Sequence, residues 1–166
     1  MSIERTIPGY DDEEESSMEN LYLTFHLGGE EYGLEIAYVI EIVGMQQITK
    51  IPNMPAYVKG VINLRGQVIP VIDVRTRFGL DFMDYNERTC AIVVKINELT
   101  IGMLVDAVDE VISIPETQMS LPQAVAASDS GRFVRGLGRV NKKVIILLEL
   151  SRVFSETEIE ALSSGV

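Results

Sequence analysis

The chain has 166 residues, 25 acidic against 14 basic side chains, a net charge of −11, 46% hydrophobic residues and no tryptophan. That length fills one domain or two small lobes sharing a core, and no apolar stretch approaches the roughly 20 residues needed to span a membrane. The acidic balance argues against nucleic acid as a partner. Lacking a basic-then-apolar leader and having a single cysteine, Cys90, the chain is expected in the reducing cytoplasm.

Residues 1–19 hold seven acids and one base, net −6, against −5 for the remainder (18 acids, 13 bases), with few apolar residues. The composition predicts a disordered acidic tail. Leu21–Leu27 reads as a strand, Gly28-Gly29-Glu30-Glu31 as a turn, Tyr32–Ile36 as a strand and Ala37–Ile42 as a short turn or strand. A loop with Pro52 and Pro55 leads to GVINLRGQVIPVIDVRTRF, Gly60 to Phe78. Val61–Leu64 and Val68–Ile72 flank Leu64-Arg65-Gly66-Gln67, which predicts a hairpin with arginine at its tip. A short helix is expected over Val74–Phe78, ended by Gly79. Thr89–Ile96, Thr100–Val105 and Val108–Ile114 read as strands, and Pro115–Gly131 as irregular with room for a short helix. Phe133–Val140 and Val144–Leu150 form a second hairpin around Asn141-Lys142-Lys143. Ser155 and Glu158 fit a capping box, predicting a C-terminal helix over 155–163.

These elements repeat. At a shift of 69, Tyr32-Gly33-Leu34 meets Ile101-Gly102-Met103, and Val39-Ile40-Glu41-Ile42 meets Val108-Asp109-Glu110-Val111. At a shift of 76, Gly60 meets Gly136, and Val71-Ile72-Asp73-Val74 meets Leu147-Leu148-Glu149-Leu150. An all-β fold of two similar lobes follows, about five short strands each, at 20–80 and 88–150 within a domain of 20–152. Each half is too small for a full core of its own, so the lobes should share a hydrophobic seam and could exchange strands.

Chemistry is sparse. His26 is the one histidine and lies on the polar face of its strand; Cys90 opens an apolar strand and reads as a small buried hydrophobe. One of each makes no zinc constellation. Asp106, Asp109 and Glu110 read as the outward face of a strand edge. No phosphate-cradling loop or nucleophile elbow is present, and no cofactor or metal is implied. The pattern points to a protein that works by contact, the alternative being a small-ligand or enzymatic domain on a duplicated barrel. Val39, Ile42, Val108 and Val111 occupy equivalent positions; they could line a groove fitting an amphipathic helix, or simply form the shared core. Glu41 and Arg65 could pair and fix the hairpin. Lys59, Arg75 and Arg77 read as surface charges near the same end.

YLTFHLGGEEYGLEI, VIEI and IPNMPAYVKGVINLRGQVIPVIDVRTRFG together resemble the CheW family of bacterial chemotaxis coupling proteins, from about Leu21 to Leu150. The resemblance implies two five-stranded SH3-like barrels. It also implies a non-catalytic adaptor between the cytoplasmic tips of chemoreceptors and the histidine kinase CheA. It places receptor binding at Val39, Glu41, Gly60, Asn63, Arg65, Val108 and Val111. Kinase contacts fall in the loop of Ile51, Met54 and Lys59, and in a second loop with Leu121 and Val125, which lacks the large aromatic of some relatives. A coupling protein fused to a receiver domain, CheV-like, or a CheA regulatory domain is the rival within this class.

Overall fold

The computed structural model describes residues 19–154, 158 and 160–162. Residues 1–18 of the acidic tail and Ser155 lie outside them; Glu158 and Glu160–Leu162 are helical. Among the described residues, eleven strands form two sheets. They are β1 (Leu21–Leu27), β2 (Glu30–Glu35), β3 (Val39–Gly44), β4 (Val58–Leu64), β5 (Gln67–Asp73), β6 (Cys90–Ile96), β7 (Leu99–Val105), β8 (Ala107–Ser113), β9 (Met119–Ser120), β10 (Val134–Val140) and β11 (Lys143–Leu148). One-turn helices α1 (Val74–Arg77), α2 (Gln123–Ala126) and α3 (Leu150–Val153) join or follow them. The ambiguous Ala37–Ile42 segment resolves into a 3-10 turn, Ile36–Tyr38, followed by β3.

The duplication holds strand for strand. β1, β2 and β3 map onto β6, β7 and β8 at the shift of 69; β4, β5 and α1 map onto β10, β11 and α3 at the shift of 76. The sheets do not follow the halves, however. One sheet runs β8-β1-β2-β11-β10-β9 and the other β3-β6-β7-β5-β4. Each first-strand hairpin of one repeat is thus built into the sheet of the other. β1 pairs antiparallel with β2 and with β8, while its copy β6 pairs with β7 and β3. Parallel pairing of β5 with β7 and of β11 with β2 completes the exchange. Residues 20–80 and 88–150 therefore each contribute to both lobes.

Even the irregularities repeat. β-Bulges fall between Val58 and Gly60 and between Val134 and Gly136. Beyond β3, Thr49 exchanges two backbone hydrogen bonds with Val61, at 2.8 and 2.9 Å. In the copy, Ser120 of β9 faces Leu137. Each sheet is thus drawn toward an SH3-like barrel without closing edge to edge. Gly60 permits this approach. Its φ is +142°, and a Cβ there would lie 2.1 Å from the Thr49 carbonyl oxygen.

Three apolar clusters form among the described residues. Ile62, Leu64, Ile69, Val71, Ala91, Val93 and Leu104 fill the five-stranded lobe. Tyr22, Ile114, Ile145 and Leu147 fill the six-stranded one. The largest cluster joins residues of both sheets, among them Leu23, Phe25, Leu34, Ile72, Ile92, Val94, Met103 and Leu148, and is the shared seam. β6 shows how the sequence specifies this. Ala91 and Val93 point into the lobe, Ile92 and Val94 into the seam, so the strand is apolar on both faces rather than alternating.

Candidate functional site

β3 and β4 are the two edges of the five-stranded sheet, and the tip of the β4–β5 hairpin reaches back to β3. Arg65 and Gly66 have φ of +53° and +88°, the two positive values that a type I′ turn requires. The Asn63 side-chain oxygen accepts a hydrogen bond from the Gly66 amide at 2.8 Å and steadies the turn. From this tip the Arg65 guanidinium donates to the Glu41 carboxylate on β3, the pair expected from the sequence. The Arg65 side chain remains 68% exposed.

Along β3 burial alternates. Val39 packs against the seam cluster, whereas Ile40 and Ile42 are 52% and 44% exposed. A bulge at Ile40 interrupts the alternation, so Val39 and Ile42 stand opposite Val94 and Ile92 on one face of β6, and the bulged Ile40, also exposed, was missed. β8 is bulged at the matching place, with Val108 and Val111 opposite Phe25 and Leu23; Val108 packs against the seam and Val111 is 49% exposed. β8 is likewise an edge strand. Gly60 is buried and offers no side chain, so it supports the site.

The second set is scattered. Met54 packs against the seam cluster, and Lys59 lies over the Phe82 ring, 5.1 Å from its centroid. Ile51 is half-buried and Leu121 exposed. Val125 lines a cavity of about 320 Å³ with Tyr32, Phe78, Phe133, Leu137 and Leu148.

Two expected surface charges are not on the surface. Arg75 forms a two-pronged pair with Asp106, at 2.7 and 2.8 Å. Burial disfavours the Asp106 charge, but hydrogen bonds from Arg75 and from the Gly28 amide outweigh it and hold the carboxyl below its usual range. Arg77 stacks within 4.9–5.7 Å of the Tyr57, Phe133 and Phe154 rings and donates to Val153 and Glu158. Both partners are remote in sequence, which is why local pattern placed these cations in solvent. Burial pushes the Cys90 thiol up, keeping it protonated.

The family model of the CheW-like domain matches residues 21–158. The chain belongs to the CheW family. It is 36% identical over 137 residues to the chemotaxis protein CheW of Klebsiella aerogenes, covering 82% of each chain. It is 37% identical over 139 residues to a probable chemotaxis protein CheW of Rhizobium etli, covering 84% of this chain and 90% of the relative. The fold matches the crystal structure of the scaffolding protein TtCheW from Thermoanaerobacter tengcongensis with a TM-score of 0.75 and 40% identity, covering 82% of this chain and 92% of that one. The chain is accordingly a chemotaxis scaffold protein of this family and not an enzyme. No helix among the described residues is long and apolar enough to cross a membrane.

Proposed function

We propose that this protein is the adaptor that couples the cytoplasmic tips of chemoreceptors to the histidine kinase CheA. The observation that carries the reading is an apolar strand edge, Ile40 and Ile42, beside an exposed arginine held in a left-handed turn. Exposed apolar residues on an edge strand suit the face of an amphipathic helix, and an arginine fixed at the rim supplies a directional charge. In this reading Glu41, Asn63 and Gly60 hold Arg65 in place. Val39 and Val108 form the floor under the edge, and Val111 extends the contact on β8. Ile51, Met54 and Lys59, with Leu121 and Val125, serve the kinase. The protein then works in the cytoplasm, at membranes only through its partners, without a cofactor.

The test separates the two partners. The full chain is offered a receptor signalling tip and, independently, the regulatory C-terminal domain of the kinase. Binding to both is expected. Arg65→Glu and Ile42→Asp should weaken the first and spare the second, with circular dichroism unchanged. Val108→Asp is a poorer probe, because its side chain packs on the seam and a charge there would disturb the fold itself. No binding to either partner sinks the proposal.

A further inference from the structure

Strands β8, β1 and β2 lie side by side, and each sends one metal-competent side chain to the same spot. His26 on β1 stands directly opposite Glu31 on β2. On the other side, Asp109 and Glu110 of β8 together oppose Thr24, because the pairing shifts between Leu23 and Phe25. This bulge brings the Asp109 carboxylate to 3.7 Å from His26 Nε2. One donor atom from each of His26, Glu31 and Asp109 lies within 4.8 Å of the others.

A second observation points to a cation. The Glu31 side chain is only 10% exposed, yet its Oε2 accepts no hydrogen bond among the described residues. Its other oxygen accepts one from Lys143 Nζ at 3.2 Å. A buried carboxylate oxygen without a donor is costly. Lys143 is itself 53% exposed on a flexible stem, so it can yield its place to a metal ion.

We propose that His26, Glu31 and Asp109 form a binding site for a divalent first-row transition ion, with Zn²⁺ the natural probe. One imidazole and two carboxylates suit such an ion, whereas Ca²⁺ and Mg²⁺ prefer all-oxygen sets. Zinc bonds of about 2.0–2.2 Å set neighbouring donors roughly 3.3–3.5 Å apart, and the half-exposed His26 and Asp109 side chains can close that gap by rotation. The triad is not a by-product of the duplication. At the shift of 69 its counterparts are Lys95, Thr100 and Ile40, which make no such set. Bound metal would tie the edge strand β8 to β1 and β2.

Because His26 is the only histidine, its imidazole resonances report the site without ambiguity. Titration of the full chain with Zn²⁺ alone should move them in a saturable, one-to-one manner, and Mg²⁺ should not. By calorimetry, His26→Gln and Asp109→Asn should each weaken Zn²⁺ binding by at least the roughly 10–100-fold that loss of even an outer partner costs. Both side chains are over a third exposed, so these variants keep the fold. Lys143→Met, which removes the competing cation, should bind more tightly. His26 resonances that do not respond, or a His26→Gln isotherm equal to the parent's, overturn the proposal; the latter assigns the ion to the acidic tail. An unchanged or weaker affinity in Lys143→Met overturns it as well.

Discussion

Arg65→Asn separates stability from recognition at one position, and the chain supplies its own control. The second repeat builds the same type I′ turn with Asn141 and Lys142, at φ +50° and +68°. A left-handed backbone costs an ordinary residue roughly 1–2 kcal/mol, while asparagine and glycine tolerate it. Arg65 therefore sits where asparagine is the better structural choice. Against that stands its ion pair with Glu41, which is solvent-exposed and worth about 0–1 kcal/mol. The two effects nearly cancel or favour the variant, so Arg65→Asn should be neutral or stabilising by about 1 kcal/mol.

Binding should move the other way. An arginine that anchors an interface typically contributes 2 kcal/mol or more, roughly a 30-fold change in Kd. Urea unfolding of parent and variant, with the slope held constant, gives the first quantity; calorimetric titration of a receptor tip gives the second. The reciprocal Asn141→Arg should lower stability by about 1 kcal/mol and leave receptor binding alone. The reasoning is refuted if Arg65→Asn loses more than about 1 kcal/mol, which makes the Glu41 pair a structural clamp, or if receptor affinity is unchanged.

Gly60→Ala should be severe. It adds backbone strain of about 1–3 kcal/mol and breaks the two Thr49–Val61 hydrogen bonds, about 1 kcal/mol each, so calorimetry should show a fall in Tm of roughly 6–20 °C. Asp106, whose carboxyl is held below its ordinary value, stabilises the fold above its unfolded-state pKa, and that contribution is lost as pH falls through the folded one. Asp106→Asn should therefore unfold more readily at neutral pH and show a shallower acid transition below pH 4 or so. Tyr57 runs the opposite way. Burial and its hydrogen bond to Glu158 push it up to about 12, so its contribution is present below pH 10 or so and lost as pH rises to about 12. Tyr57→Phe should flatten the alkaline unfolding profile over that window.

The strands, their order and their duplication were legible in the sequence because period-two apolar patterning and turn chemistry act locally. Their pairing was not. A hydrophobic face specifies that a strand must be covered, but not by which neighbour, and β3 and β8 are near copies offering β1 and β6 the same edge. Hence the exchange between halves could be raised but not resolved. α3 was missed although it is the 76-residue image of α1, since Leu150 reads locally as the end of a strand. Likewise Arg75 and Arg77 lie next to β5 in sequence, but Asp106 and Glu158, which bury them, come from elsewhere in the chain.

The same duplication separates scaffold from function. Positions that agree between the repeats are those the fold needs. Gly60 and Gly136 sit at equivalent bulges, Val39 and Val108 at the seam. Arg65 and Ile40, which the proposal makes the exposed contacts, differ between repeats. Arg65 faces Asn141 across the repeat, and the exposed Ile40 corresponds to Asp109. One edge thus adds Ile40 and the arginine tip to its shared apolar residue, while the other sets Asp109 there, beside the lone histidine. Two copies of one strand arrangement give the protein two edges of equal geometry and unlike chemistry.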